Sequence, residues 1–156
     1  MSHYAKHLVL DATPAAVYAA LTTPEGLRGW WSEDSDIADA VGGTHTFRFG
    51  PHRKELRVEG LAPDREVRWR CTGAHIAVAR LPRPDEWVGT EIVFRLAPTG
   101  SGRTAFDFEH VGLEPTLGCY DMCEAGWDHY LESLRRRVET GRGTPHVREA
   151  ASLCTA

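Results

Sequence analysis

Residues 115–140 read PTLGCYDMCEAGWDHYLESLRRRVET. The apolar side chains fall at Leu117, Tyr120, Cys123, Trp127, Leu131, Leu134 and Val138, in steps of three or four, which is the period of one helix face. Asp128, Glu132, Arg135 and Glu139 fall on the opposite side and are expected in solvent. Pro115 or Thr116 is expected to open the helix, and Gly141 to cap its C-terminal end. Arg135, Arg136 and Arg137 put positive charge where the macrodipole favours it. A helix of about 25 residues is about 37 Å long. An amphipathic helix of that length needs a broad apolar surface, and a curved sheet is the natural partner. Gly126 gives up helix propensity beside Trp127, which predicts the close approach of another backbone.

The chain upstream supplies that sheet. Residues 3–10 alternate weakly through Tyr4, Lys6, Leu8 and Leu10 and read as an opening strand. Thr13-Pro14 and Thr23-Pro24 each place an N-cap before a proline at the first helical position, so two short helices are expected at roughly 14–21 and 24–31. Ser32 to Ala40 is acidic and reads as a loop. From Gly42 the period becomes two. His45, Phe47 and Phe49 share one phase, followed after a turn by Leu56 and Val58, and after another by Val67, Trp69 and Cys71. Thr72 to Trp87 is irregular. Alternation resumes with Ile92, Phe94 and Leu96 and returns with Phe106, Phe108 and His110. The order is a strand, two short helices, a run of antiparallel strands (about six strands in all) and a long helix. That order makes the class α+β. One domain is expected over residues 1–141, with a flexible tail at 142–156.

Composition narrows the function classes. With 18 basic and 22 acidic residues interspersed, the net charge is −4, and no basic stripe suggests nucleic acid. No apolar run approaches 18 residues and the N-terminus has no signal-peptide core, so no membrane insertion is expected and the cytoplasm is the expected location. Cys71, Cys119, Cys123 and Cys154 lack C-x-x-C spacing and are expected as reduced thiols. Cys119 and Cys123 lie one helical turn apart and could hold a metal with a histidine. They are read instead as small apolar residues on the buried side of the helix, so no metal site is assigned.

Five segments carry a resemblance: TPAAVYAAL at 13–21 and the pair Trp30-Trp31, GTEIVF at 89–94, HVGL at 110–113, and GWDHYLESL at 126–134. In that order they resemble the START-like or helix-grip superfamily (SRPBCC), and more closely the branch named after the activator of the heat-shock chaperone ATPase. The resemblance implies a curved antiparallel sheet gripping a long C-terminal helix, with a cavity between them. It also implies hydrophobic ligands for some relatives and catalysis for others.

The inward phase of the sheet and helix sets the candidate ligand-binding residues: Trp30, Trp31, His45, Phe47, Trp69, Phe94, Phe108, His110, Tyr120, Cys123 and Trp127. His75 is a further polar candidate. Phe47, Trp69, Phe94, Phe108, Tyr120 and Trp127 are expected to line an enclosed pocket between the long helix and the sheet. Apolar walls with a few polar groups describe a small-molecule site. Trp30 and Trp31 read first as a hydrophobic lid or plug, and His110 first as a histidine fixing the strand-to-helix corner by a bond to a backbone carbonyl. No G-x-S-x-G, phosphate loop or H-E-x-x-H is present, and no cofactor is implied. The expected function is binding of a small, largely hydrophobic molecule. The alternatives are a cyclase or hydrolase using His110 and Tyr120 as acid and base, or a chaperone-interacting module. A homodimer is left open.

Overall fold

The structure, a computed structural model, describes residues 3–77, 85–115 and 117–147. Seven antiparallel strands form one curved sheet: β1 (Tyr4–Leu10), β2 (Ser35–Asp36), β3 (Thr44–Phe49), β4 (His52–Ala62), β5 (Glu66–His75), β6 (Glu91–Pro98) and β7 (Thr104–Val111). Their order is β1-β7-β6-β5-β4-β3-β2. The seventh strand, beyond the six or so expected, is β2. It lies within the stretch read as an acidic loop and pairs with β3 through Ser35–Phe47 and Asp36–Thr46. Arg48 holds this edge by ion pairs to Asp34 and Asp36.

Two short helices, α1 (Pro14–Thr22) and α2 (Pro24–Trp30), follow β1. Thr13 Oγ1 accepts from the Ala16 N–H, and Thr23 Oγ1 accepts from the Gly26 N–H. Each threonine–proline pair thus starts a helix, as the sequence predicts.

The long helix α3 spans Tyr120–Thr140, shorter at its start than expected. Pro115 does not open it, and Thr116 lies outside the described residues. Cys119, at the N-cap, makes no side-chain capping bond. The Glu86 carboxylate instead accepts from the N–H groups of Gly118 and Cys119 at 3.1 and 2.9 Å. A cap delivered from 33 residues away leaves no local sequence signature. At the other end Gly141 adopts φ 89° and donates to the Arg137 carbonyl, as expected of a left-handed cap. Cys123, Trp127, Leu131 and Leu134 are buried, and the sheet residues placed in the inward phase are buried opposite them.

Two bulges adjust that phase. Glu59 is an extra residue on β4 and Thr72 an extra residue on β5, where Gly73 faces Glu55 and Cys71 faces Leu56. Past Thr72 the inward phase moves to Ala74 and Ile76, so His75, the further polar candidate, is exposed. The stretch expected to be irregular from Thr72 therefore begins as the end of β5. Its residues 78–84 lie outside the described residues.

Residues 142–147 run back along α2 and α3. The His146 N–H donates to the Trp31 carbonyl, and its carbonyl accepts from Glu33, both at 2.9 Å. Thr144 N–H donates to Ser133 Oγ, which donates to the Trp30 carbonyl. The backbone passes so close that a Cβ on Gly143 would sit 2.6 Å from the Gly29 carbonyl oxygen. No helix among the described residues is long and apolar enough to cross a membrane.

Candidate functional site

A cavity of about 200 Å³ lies between the N-terminal half of α3 and the β3–β5 end of the sheet. Trp31 walls it from the end of α2, Phe49 from β3, and His52 and Lys54 from β4. Ile76, just past β5, and Trp87 close another side. Met122, Cys123, Gly126, Trp127 and Tyr130 come from α3. It is partly open to solvent rather than enclosed.

Its walls are a continuous aromatic assembly. Trp31 stacks on Trp30, Trp69 and Trp127 at centroid distances of 5.6, 5.8 and 5.1 Å, and Trp87 stacks on Trp127 at 5.9 Å. Lys54 enters this apolar setting from β4, because it shares the phase of Leu56 and faces Phe47 across the ladder. Its Nζ lies 4.8 Å from the Phe49 centroid and 4.2 Å from that of Trp87. Among the described residues no carboxylate forms a salt bridge with it. Burial pushes its pKa down, while the thiols of Cys123, Cys71 and Cys119 pull it back up. Such a cation, held over two ring faces, is stabilised by their quadrupoles and still open to an acceptor.

Of the eleven candidate ligand residues, three reach this cavity: Trp31, Cys123 and Trp127. His45 and Trp69 line a different one, of about 190 Å³, between α1, the β2–β3 connection and the sheet. There His45 Nδ1 accepts from the Ala38 N–H at 2.9 Å, and burial lowers its pKa to about 4. The Trp69 indole N–H is buried and makes no hydrogen bond among the described residues. Trp30, Phe47, Phe94 and Phe108 are wholly buried core; Trp30 donates its indole N–H to the Ala20 carbonyl at 2.8 Å. The expected pocket lining is corrected accordingly, since of its six residues only Trp127 faces the helix-side cavity. Phe47, Phe94 and Phe108 fill the concave sheet, Trp69 borders the second cavity, and Tyr120 is half-exposed at the start of α3. The sequence missed Phe49, His52, Lys54, Ile76, Trp87, Met122 and Tyr130 as wall residues, and Gly126 as an opening. Among the described residues no backbone from another element approaches Gly126: a Cβ there would meet nothing within 4 Å.

His110 and Tyr120 face neither cavity. Tyr120 is half-exposed and its hydroxyl contacts Glu124 at 3.3 Å. His110 is fully buried, with both ring nitrogens engaged. Trp127 Nε1, which can only donate, gives its proton to Nδ1 at 3.0 Å. Nε2 therefore carries the histidine's proton and donates to Thr90 Oγ1 at 2.8 Å, and that hydroxyl donates to the Trp87 carbonyl at 2.6 Å. Burial lowers the pKa of His110 to about 3. The histidine ties β7 to α3 through side chains, not through the backbone carbonyl expected from the sequence. Among the described residues no three His, Cys, Asp or Glu side chains gather as a metal-binding group.

Comparison with known proteins follows the same lines. The profile of the family described as "Activator of Hsp90 ATPase homolog 1-like protein" matches residues 11–139. The solution structure of the Aha1 dimer from Colwellia psychrerythraea is 32% identical, with a TM-score of 0.78, over 92% of this chain and 100% of that one. Protein MLL2253 from Mesorhizobium loti is 21% identical over 85% and 95% of the two chains, with a TM-score of 0.68. Protein CV1439 from Chromobacterium violaceum is 24% identical over 87% and 96%, with a TM-score of 0.60. The last two share the fold. A search of the curated proteins finds no match.

Proposed function

Because the chain belongs to the Activator of Hsp90 ATPase homolog 1-like family, we propose that it binds a small, largely apolar molecule carrying one acceptor or anionic group in the cavity beside α3. The observation that carries this reading is Lys54: a cation with no carboxylate partner among the described residues, on the wall of a largely aromatic cavity. Burying a charge in such a place is costly unless something compensates it, and a ligand's carboxylate or carbonyl would do so. The volume suits one substituted ring, since a dry cavity of about 150 Å³ accommodates benzene. The ligand's ring would meet Trp31, Trp87 and Trp127, and its polar end Lys54.

Benzoate and toluene test this by NMR titration. Benzoate is expected to shift the amides of Cys123 and Gly126 and the indole N–H of Trp87, and to bind more tightly than toluene. Lys54→Met should erase that preference. Shifts confined to other surfaces, or no saturable shift at millimolar benzoate, would count against the reading. As for assembly, we infer that this chain pairs as the Colwellia protein does. Light scattering that returns the mass of a single chain would refute it.

A further inference from the structure

We propose that Cys123 is a nucleophilic thiol, set in the cavity wall to capture a soft, apolar electrophile of the α,β-unsaturated carbonyl class. The choice of electrophile rests on the binding reading above, while the reactivity of the thiol does not.

The hydrogen bonds around the sulfur come first. Trp87 Nε1 donates to Cys123 Sγ at 3.1 Å, and an indole N–H has no acceptor capacity. The Cys119 thiol, at the N-cap of the same helix, also favours the ionised form of this sulfur. Cys123 thus accepts, which is the role of a thiolate. Cys71 is arranged the opposite way: its Sγ donates to the Gly73 carbonyl, and burial raises its pKa to about 12. Cys71 is thus held as a donor and Cys123 as an acceptor.

Charge and position agree. Cys123 stands in the first turn of α3, where the macrodipole favours an anion. From β4, Lys54 brings a positive charge to the cavity that Cys123 lines, and His52 stands beside it. Cys119 stands at the N-cap of α3, and on the helix itself Glu124 follows Cys123 and Tyr130 lines the same cavity. From the 85–89 turn the Glu86 carboxylate opposes ionisation, but both its oxygens are committed to Gly118 N–H and Cys119 N–H. The neighbouring Cys119 thiol is the largest influence lowering the pKa of Cys123. Lys54 and Trp87 add to it, burial opposes it, and Cys119 moves up in consequence.

The chemistry balances without a co-reactant. The thiolate sulfur forms a bond to the β-carbon of the acceptor, and the C=C π pair moves toward the carbonyl oxygen. The proton lost when the thiol ionised returns at the α-carbon. Nothing is oxidised and nothing leaves. The negative charge that builds on the carbonyl oxygen is of the sign that Lys54 favours.

The test uses the full chain carrying Cys154→Ser, so that only Cys71, Cys119 and Cys123 can be labelled. Iodoacetamide is applied across a pH series and the sites are read by peptide mass spectrometry. Cys123 is expected to be alkylated in the native protein with a midpoint at about pH 7.5 or below, against about 8.5 for an ordinary thiol. Cys71 and Cys119 should react only in denaturant. Lys54→Met should raise the midpoint and slow labelling at pH 7 by about threefold, the effect of half a pKa unit. Should that variant not fold, the wild-type pH profile decides alone. A midpoint at or above 8.5, no alkylation of Cys123, or prior reaction at Cys119 would overturn the proposal. Cinnamaldehyde, normalised to its rate with glutathione, should outpace acrylamide at Cys123; equal normalised rates would overturn the apolar class. Benzoate binding with an inert Cys123 would refute this inference alone. A reactive Cys123 without benzoate binding would leave the thiol standing and refute the binding reading.

Discussion

Trp127 donates its indole proton to Nδ1 of His110 across 3.0 Å, and this one bond fixes the tautomer, the charge and the role of the histidine. Protonating Nδ1 would set two donors against each other inside a wholly buried site. His110 therefore stays neutral in the folded chain, with a pKa of about 3.

The consequence is a pH dependence of stability. Between about pH 3 and the ordinary histidine value of about 6.5, the unfolded chain binds a proton here that the folded chain does not. The contribution is complete above about pH 6.5 and is lost as pH falls toward 3. His45 acts in the same direction with a folded value of about 4, and so do Glu109 and Glu132, whose carboxyls are held below their ordinary range by His3 and Arg135 respectively. His110→Gln isolates one member. Near pH 7 it should cost about 0.5–1.5 kcal/mol, the value of one neutral hydrogen bond. Between pH 6.5 and 4.5 its stability should fall less steeply than the wild type's, by up to about 1.4 kcal/mol per pH unit. Urea unfolding at several pH values measures both, and parallel slopes would count against a neutral His110.

The inward faces of β3, β6 and β7 were legible because regular alternation leaves one assignment for each residue. The caps of α1 and α2 were legible because a threonine and a proline act within three residues of themselves. Other features depend on partners distant in sequence. The start of α3 depends on Glu86, and the phase beyond Cys71 depends on a bulge that only strand pairing defines. Lys54 carried a signal that went unread. Two residues before Leu56, it lies in the inward phase, but a charged side chain gives no apolar mark by which that phase extends to it. Trp87 belonged to an irregular stretch without periodicity. The sheet was thus readable and the cavity mostly was not, because the cavity occupies the place where regular alternation ends.

Gly143 tests how firmly residues 142–147 hold the junction of α2 and α3. A Cβ there would lie 2.6 Å from the Gly29 carbonyl oxygen and 2.8 Å from that of Ser133, both of them backbone atoms. Gly143→Ala should destabilise by about 1–3 kcal/mol, as overpacking does. It should also speed hydrogen exchange at the amides of Glu33 and His146, which pair across this contact. Unchanged stability with unchanged exchange would mean that the approach is looser than these distances imply.

Gly126 separates helix stability from cavity function in a single position. It lies within α3 and lines the cavity, and a Cβ built on it meets nothing within 4 Å among the described residues. Glycine in a helix interior costs roughly 0.5–1 kcal/mol relative to alanine. Gly126→Ala should therefore stabilise the protein by about that amount, since no clash offsets the gain, and should trim benzoate affinity only modestly. Gly126→Leu has the same backbone advantage but sends a branched side chain into a space of about 200 Å³. It should keep or raise the urea midpoint while benzoate binding is lost, because the leucine takes the volume that the ring would occupy. Loss of stability in the alanine variant would mean that the space beside Gly126 is already filled. Full benzoate affinity in a folded leucine variant would place the ligand elsewhere in the molecule.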